Sequence, residues 1–168
     1  TAGNVIEPAD PLVNLSIKKT AGSSFRTNYN QHTDIKNPHR TIEAEQDPAT
    51  FFYVYRDGSG SWTYVSGQTE LDPTQYDDGS GTLQSVSSGK FTVQRLYMFP
   101  GSGRIYAFYG QDTYGNLDDA LSGISDGVFD GPPLNFFDAS LRGWAIVRSS
   151  ETDFSDTSKS RIIQASQF

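Results

Sequence analysis

"LYMFPGSGRIYAFYGQ", residues 96–111, reads as two short strands joined by a tight Pro-Gly-Ser-Gly turn. A hairpin on the surface of a small monomer alternates apolar and polar residues, because only one of its faces meets a core. This one is apolar or aromatic at nearly every position of both arms. Over 91–99, Phe91, Val93, Tyr97 and Phe99 share one face, interrupted by Arg95. Thr92, Gln94, Leu96 and Met98 share the other, which confines the two-sided apolar character to 96–99. On the returning arm Ile105, Ala107 and Tyr109 oppose Tyr106 and Phe108. Each buried aromatic contributes roughly 1.5–3 kcal/mol, so leaving one face in water forfeits on the order of 5–10 kcal/mol. Two covers are open: the chain's own helix or loop, or identical neighbours packed about a symmetry axis.

Outward from this hairpin the chain punctuates itself as a β domain. "FFYVYR" (51–56), "DGSG" and "SWTYVS" (61–66) form a second hairpin signal, with β-branched and aromatic runs around an Asp-Gly turn. Asp77, Asp78 and Gly79 make a further turn before a strand at 82–86, and strands follow at 141–149 and 160–168. Gly-Ser-Gly occurs at 58–60, 79–81 and 101–103, as recurrent turn punctuation rather than a true repeat. One helix is expected at about 116–124: Leu117, Ala120, Leu121 and Ile124 keep helical spacing behind Asn116 as N-cap. "FDGPPLNFFDAS" (129–140) reads as a loop carrying the aromatic pair Phe136–Phe137. Residues 1–48 are polar, with Pro8, Pro11, Pro38 and Pro48, and only "LVNLSI" (12–17) there reads as a strand. The expectation is a mainly β fold: an extended N-terminal arm, 1–48, and an antiparallel β-sandwich-like domain, 49–168, with one short helix.

Composition excludes several functions. The 13 Lys and Arg against 20 Asp and Glu give a net charge of −7, the wrong sign for binding nucleic acid or anionic lipid. No apolar run approaches the roughly 18 residues that span a bilayer, so membrane insertion is not expected. With 0 Cys there is no disulfide, thiolate metal site or Cys nucleophile. The start at Thr1, without an initiator methionine, leads to the expectation of a fragment of something longer.

Chemistry-bearing motifs are absent. His32 and His39 fit neither helical nor strand ligand spacing. "DPTQYDDGSG" (72–81) resembles a calcium loop in composition but lacks the required ligand spacing, and "DGVFDG" (126–131) is no stronger. There is no nucleophile elbow, phosphate-cradling loop or dinucleotide fingerprint. No cofactor, metal or enzymatic activity is therefore expected. What remains are aromatics beside turns. Tyr and Trp stack on the apolar faces of sugars while neighbouring polar groups bond hydroxyls. Trp62 and Tyr64, Asp57 in the adjoining turn, and Tyr76 in the acidic loop are the ligand-binding candidates.

"RIYAFYGQDTYGNLDDAL", followed by "LRGWAIVRSSETDFSD" and a closing "RIIQASQF", resembles the distal end of phage tail-fibre and related virion fibre proteins. In those chains a strand ending Tyr-Gly-Gln precedes a short helix of the form xLxxAL, then an Ile-Val-Arg strand and a Thr-Asp-x-Ser-Asp loop. The likeness covers roughly residues 90–168 and is a pattern of scattered positions, with no binding residue attached to it. It implies a homotrimer at or near a fibre tip on the virion, attaching to a host cell-surface glycan or protein. Bacterial surface adhesins share such domains. A structural connector or baseplate component, and a glycan-cleaving spike, are the alternatives from other classes.

Overall fold

Strand-forming residues meet at the hairpin that opened the sequence reading. Phe91–Met98 and Ile105–Phe108 are paired antiparallel, Tyr97 against Tyr106 and Leu96 against Ala107. The computed structural model describes residues 3–26, 29–132 and 138–167. In chain order its strands are β1 (Ile6–Pro8), β2 (Ile17–Lys19), β3 (Gly22–Phe25), β4 (Arg40–Glu43), β5 (Phe51–Arg56), β6 (Trp62–Gln68) and β7 (Gln75–Tyr76). They continue as β8 (Gln84–Ser85), β9 (Phe91–Met98), β10 (Ile105–Phe108), β11 (Thr113–Tyr114), β12 (Ser140–Arg148) and β13 (Ser160–Gln164), with α1 (Leu117–Asp126) between β11 and β12. The protein is mainly β, with 40% in strands and one short helix among the described residues. No helix among them is long and apolar enough to cross a membrane.

The central sheet runs β13-β12-β9-β10-β5-β6, with β11 added alongside β9. It is mixed, which corrects the expectation of a purely antiparallel arrangement. β10 and β5 run parallel, with Ile105 beside Phe51 and Phe108 beside Val54. Turn chemistry sets the pairing within each hairpin, but the β5–β6 and β9–β10 hairpins dock side by side through burial, which does not select direction. Three further two-stranded ladders, β1–β2, β3–β4 and β7–β8, lie outside this sheet.

Both faces of the β9–β10 hairpin are covered, by different parts of the chain. One face carries Phe51, Tyr53, Leu96, Ile105, Ala107, Tyr109, Ala145 and Val147, over which Ile6, Leu15, Ile17 and Leu71 close. Segments before residue 49 thus contribute directly to the core. The strand expected at 12–17 is not formed: residues 13–15 are a bend, Ser16 makes an isolated bridge to Glu70 and β2 begins only at Ile17, while Leu12 and Val13 are 43% and 70% exposed. Two β9 residues of this face, Thr92 and Gln94, are polar. Gln94 is fully buried, accepting from the Tyr53 hydroxyl (2.9 Å) and donating to Asp72 O (2.7 Å), which satisfies both ends of its amide.

On the opposite face α1 packs Ala120 and Ile124 against Phe91, Val93, Trp144 and Ile146. The helix starts where the sequence indicated. Asn116 Oδ1 accepts from Asp119 N (2.9 Å), and Asp118 and Asp119 occupy the first turn, where negative charge meets the positive end of the helix dipole. The helix reaches only one end of β9. Towards the hairpin tip the same face is an aromatic layer: Phe52 stacks on Tyr106 (4.9 Å between centroids), with Phe99 and Tyr64 edge-on to Tyr106 at 5.0 and 6.3 Å. Tyr97, Trp62 and Phe129 meet Phe108 edge-on. The aromatic pair Phe136–Phe137, read as part of a loop, lies outside the described residues.

Candidate functional site

The four candidate residues fall on three elements. Trp62 and Tyr64, two apart on β6, share the aromatic face of the sheet, since Trp62 meets Phe108 and Tyr64 meets Tyr106. Asp57 opens the turn between β5 and β6. Tyr76 sits on β7, in a separate ladder with β8. Trp62 lines a cleft of about 410 Å³ with Arg56, Gly58, Ser61, Gly79 and Asp130, and Asp57 is held between two of its lining residues. Tyr64 and Tyr76 do not line this cleft.

Two Gly-Ser-Gly turns build the cleft floor by touching each other. A Cβ on Gly58 would lie 2.7 Å from Ser80 O, and one on Gly81 would lie 2.5 Å from Asp57 O. Both glycines also have positive φ, 77° and 96°, so only glycine suits either position. The turns remote in sequence are therefore a matched pair in space. Each is drawn tight by its own aspartate. Asp57 Oδ1 accepts from Ser59 N (2.8 Å), Ser59 Oγ (2.8 Å) and Ser61 N (3.0 Å). These bonds favour the ionised form and hold the Asp57 carboxyl below the usual carboxylate range. Ser80 does the same for Asp78.

Arg56 crosses between the turns and is fixed at several points. Its backbone N–H and Nε both donate to Asp77 Oδ2 (2.9 and 3.1 Å), and Nη2 donates to Asp77 O (2.8 Å). Asp77 is buried, so its charge is compensated at close range by this guanidinium. Nη1 lies 3.4 Å from Asp130 Oδ2, whose side chain is 65% exposed. The loop bearing Asp130 is pinned by Gln111, which donates to Asp130 O (2.6 Å) and accepts from Asp130 N (2.9 Å). Next to it Arg95 lies 4.0 Å over the Phe129 ring. The cleft is thus preorganised, with an indole on one side and a charge-compensated Arg–Asp pair on the other. Arg56, Asp77 and Asp130 are not among the ligand-binding candidates; the sequence reads Asp77 as a turn residue and Asp130 as part of a weak calcium-loop look-alike. Asp77 and Asp130 stand 21 and 74 residues from Arg56, and no local spacing marks such a set.

Among the described residues no group of three His, Cys, Asp or Glu could hold a metal ion. His32 and His39 are apart from the cleft, His39 packing its ring on Phe25 at 5.3 Å. A larger cleft, of about 510 Å³, opens at the other end of the β5–β6 hairpin, beside Phe52 and Arg104. Comparison with family models, curated proteins and solved structures finds no match to this chain.

Proposed function

We propose that the chain is an attachment domain of a virion fibre, a sandwich-like β domain working as a homotrimer, that holds a host-surface glycan in the cleft beside Trp62. The observation that carries the binding reading is that cleft: an accessible indole edge next to a rigid Arg56–Asp130 pair. The indole takes the apolar face of a pyranose, and the pair offers a donor and an acceptor to its hydroxyls. Because Asp77 and Asp130 compensate Arg56, the cleft suits an uncharged sugar. One shallow cleft of this size binds weakly. Three copies on one fibre tip gain through effective concentration what each lacks in affinity. The likeness of residues 90–168 to fibre tips supports the virion setting, and the same geometry serves a bacterial surface adhesin.

A second reading, a structural connector or baseplate component, draws on β6. Among the described residues this strand is an edge of the central sheet, pairing only with β5, and "SWTYVSGQT" (61–69) carries no charge. Uncharged edges invite pairing with another chain. Light scattering at micromolar concentration, followed by a glycan array with the native chain and Trp62→Ala, separates the readings. Trimers and array signals of uncharged glycans that vanish in Trp62→Ala are expected. Monomers remove the trimer, and a blank array with trimers present favours the connector.

A further inference from the structure

We infer that the cleft at the far end of the β5–β6 hairpin is a second glycan subsite, selective for a pyranose bearing a carboxylate, with Arg104 as its anion-binding residue. Gln46, Phe52, Ser102 and Arg104 are among the residues that line it. Arg104 follows the third Gly-Ser-Gly turn directly, one residue before β10, and its main chain is firmly held. Phe99 N donates to Arg104 O (3.0 Å), and Gly103 N donates to Phe99 O (3.0 Å). Its side chain is exposed, and among the described residues no carboxylate lies within ion-pair distance of it. That is the contrast with Arg56, whose charge is compensated by two aspartates.

Two guanidiniums meet at this turn. Arg26 reaches the same turn, its Nη1 3.0 Å from where a Cβ on Gly101 would stand. The acid nearest the turn, Glu43, is buried and turned inward. Its Oε1 accepts from Ser24 Oγ (3.0 Å), Thr41 Oγ1 (2.9 Å) and Gly101 N (2.6 Å). Lys19, fully buried beneath, offsets that charge while donating to Ala44 O (2.6 Å) and Asn4 Oδ1 (3.2 Å). Glu45 and Asp47, both exposed, flank Gln46, so the cationic groups at the turn itself are those of Arg104 and Arg26.

The remaining lining residues select a sugar over a bare anion. Phe52 is half-buried and held flat against Tyr106, 13° from parallel, which makes a wall for the apolar face of a ring. Gln46 is oriented by donating from Nε2 to Gly103 O (3.0 Å), leaving its carbonyl oxygen for a hydroxyl. The planar Arg104 guanidinium matches a carboxylate through two parallel N–H donors. Uronic acids and sialic-type acids share this chemistry.

Titration of the intact chain by NMR tests the inference, using the methyl glycosides of glucuronic acid and N-acetylneuraminic acid, with methyl glucoside as uncharged control. Shifts for the 46–52 and 101–106 amides, and an affinity for at least one acidic sugar roughly tenfold or more above the control, are expected. Which acidic sugar binds identifies the source of the carboxylate. Arg104→Gln, an exposed substitution that leaves thermal unfolding unchanged, removes that preference, and Phe52→Leu weakens both acidic and control sugars. Trp62→Ala leaves acidic binding intact, so this subsite stands or falls apart from the Trp62 cleft. Equal affinity for acidic and uncharged sugars, absence of binding, or acidic binding that survives Arg104→Gln overturns it.

Discussion

The two faces of the central sheet are closed by different means. On the first, Ile6, Leu15, Ile17, Ala49 and Leu71 fold over Phe51, Leu96 and Ile105, and none of these eight exceeds 3% exposure. On the second, α1 seals only the end near Phe91 and Val93, while the tip relies on rings packed against rings, and Tyr64 remains 47% exposed. The first face, its stacked Tyr53 and Tyr109 included, is closed to water, whereas Tyr and Trp rings with polar tips are stable half-wetted on the second. The first face therefore supplies stability, and the second leaves surface for recognition. Both clefts lie beside its outer strands, one at each end of the β5–β6 hairpin.

Substitutions can break or sharpen this contrast. The largest effect is expected from Phe51→Ala, about 3–5 kcal/mol in denaturant unfolding, because it empties a fully buried ring site on the first face. Alkali should attack the same face. Burial holds the Tyr53 and Tyr109 phenols protonated well above the ordinary 10.0, whereas the unfolded chain ionises them near that value. The stability they confer is complete below pH 10 and is lost as pH rises above it. Lys19 acts in the opposite sense below 10.5, since burial depresses its folded pKa and the unfolded chain binds the extra proton. A chain whose phenols titrate near 10 in absorbance, without unfolding, does not have them buried.

Gly81→Ala is next, at about 1–3 kcal/mol, since φ is 96° and the new methyl meets Asp57 O. A neutral result would mean that the two Gly-Ser-Gly turns do not touch. Asn116→Ala removes the cap of α1 and should cost about 1 kcal/mol, with Asn116→Asp restoring most of it. Smallest is Tyr64→Ser, within about 0.5 kcal/mol, because the ring is already about half exposed. A loss comparable to that of Phe51→Ala would erase the distinction between the faces.

Local elements were legible from residues close together in the chain. "FFYVYR" is β5 without a shift, the Phe91–Met98 and Ile105–Phe108 strands lie within the expected hairpin, and Asn116 caps the helix as its spacing required. The short ladders of residues 1–48 were not legible, because β1 and β2 are three residues each and owe their register to Ile6 and Ile17 entering a core built elsewhere. Of the candidate site, the aromatic and turn residues could be named, but not the groups beside them. Arg56 has no periodicity that marks it, and Arg104 looks like any polar residue after a turn.

Residue order alone settled that this chain is mainly β, where its hairpins turn and where its helix begins. Those outcomes depend on φ preferences, side-chain alternation and capping, which act over a few residues. Tertiary structure alone decided that β10 and β5 run parallel and that the Gly-Ser-Gly turns at 58–60 and 79–81 dock. It also decided that one arginine is neutralised while another is left to face solvent. Burial and Coulomb pairing act through space between residues tens of positions apart, so their partners emerge only once the chain has folded.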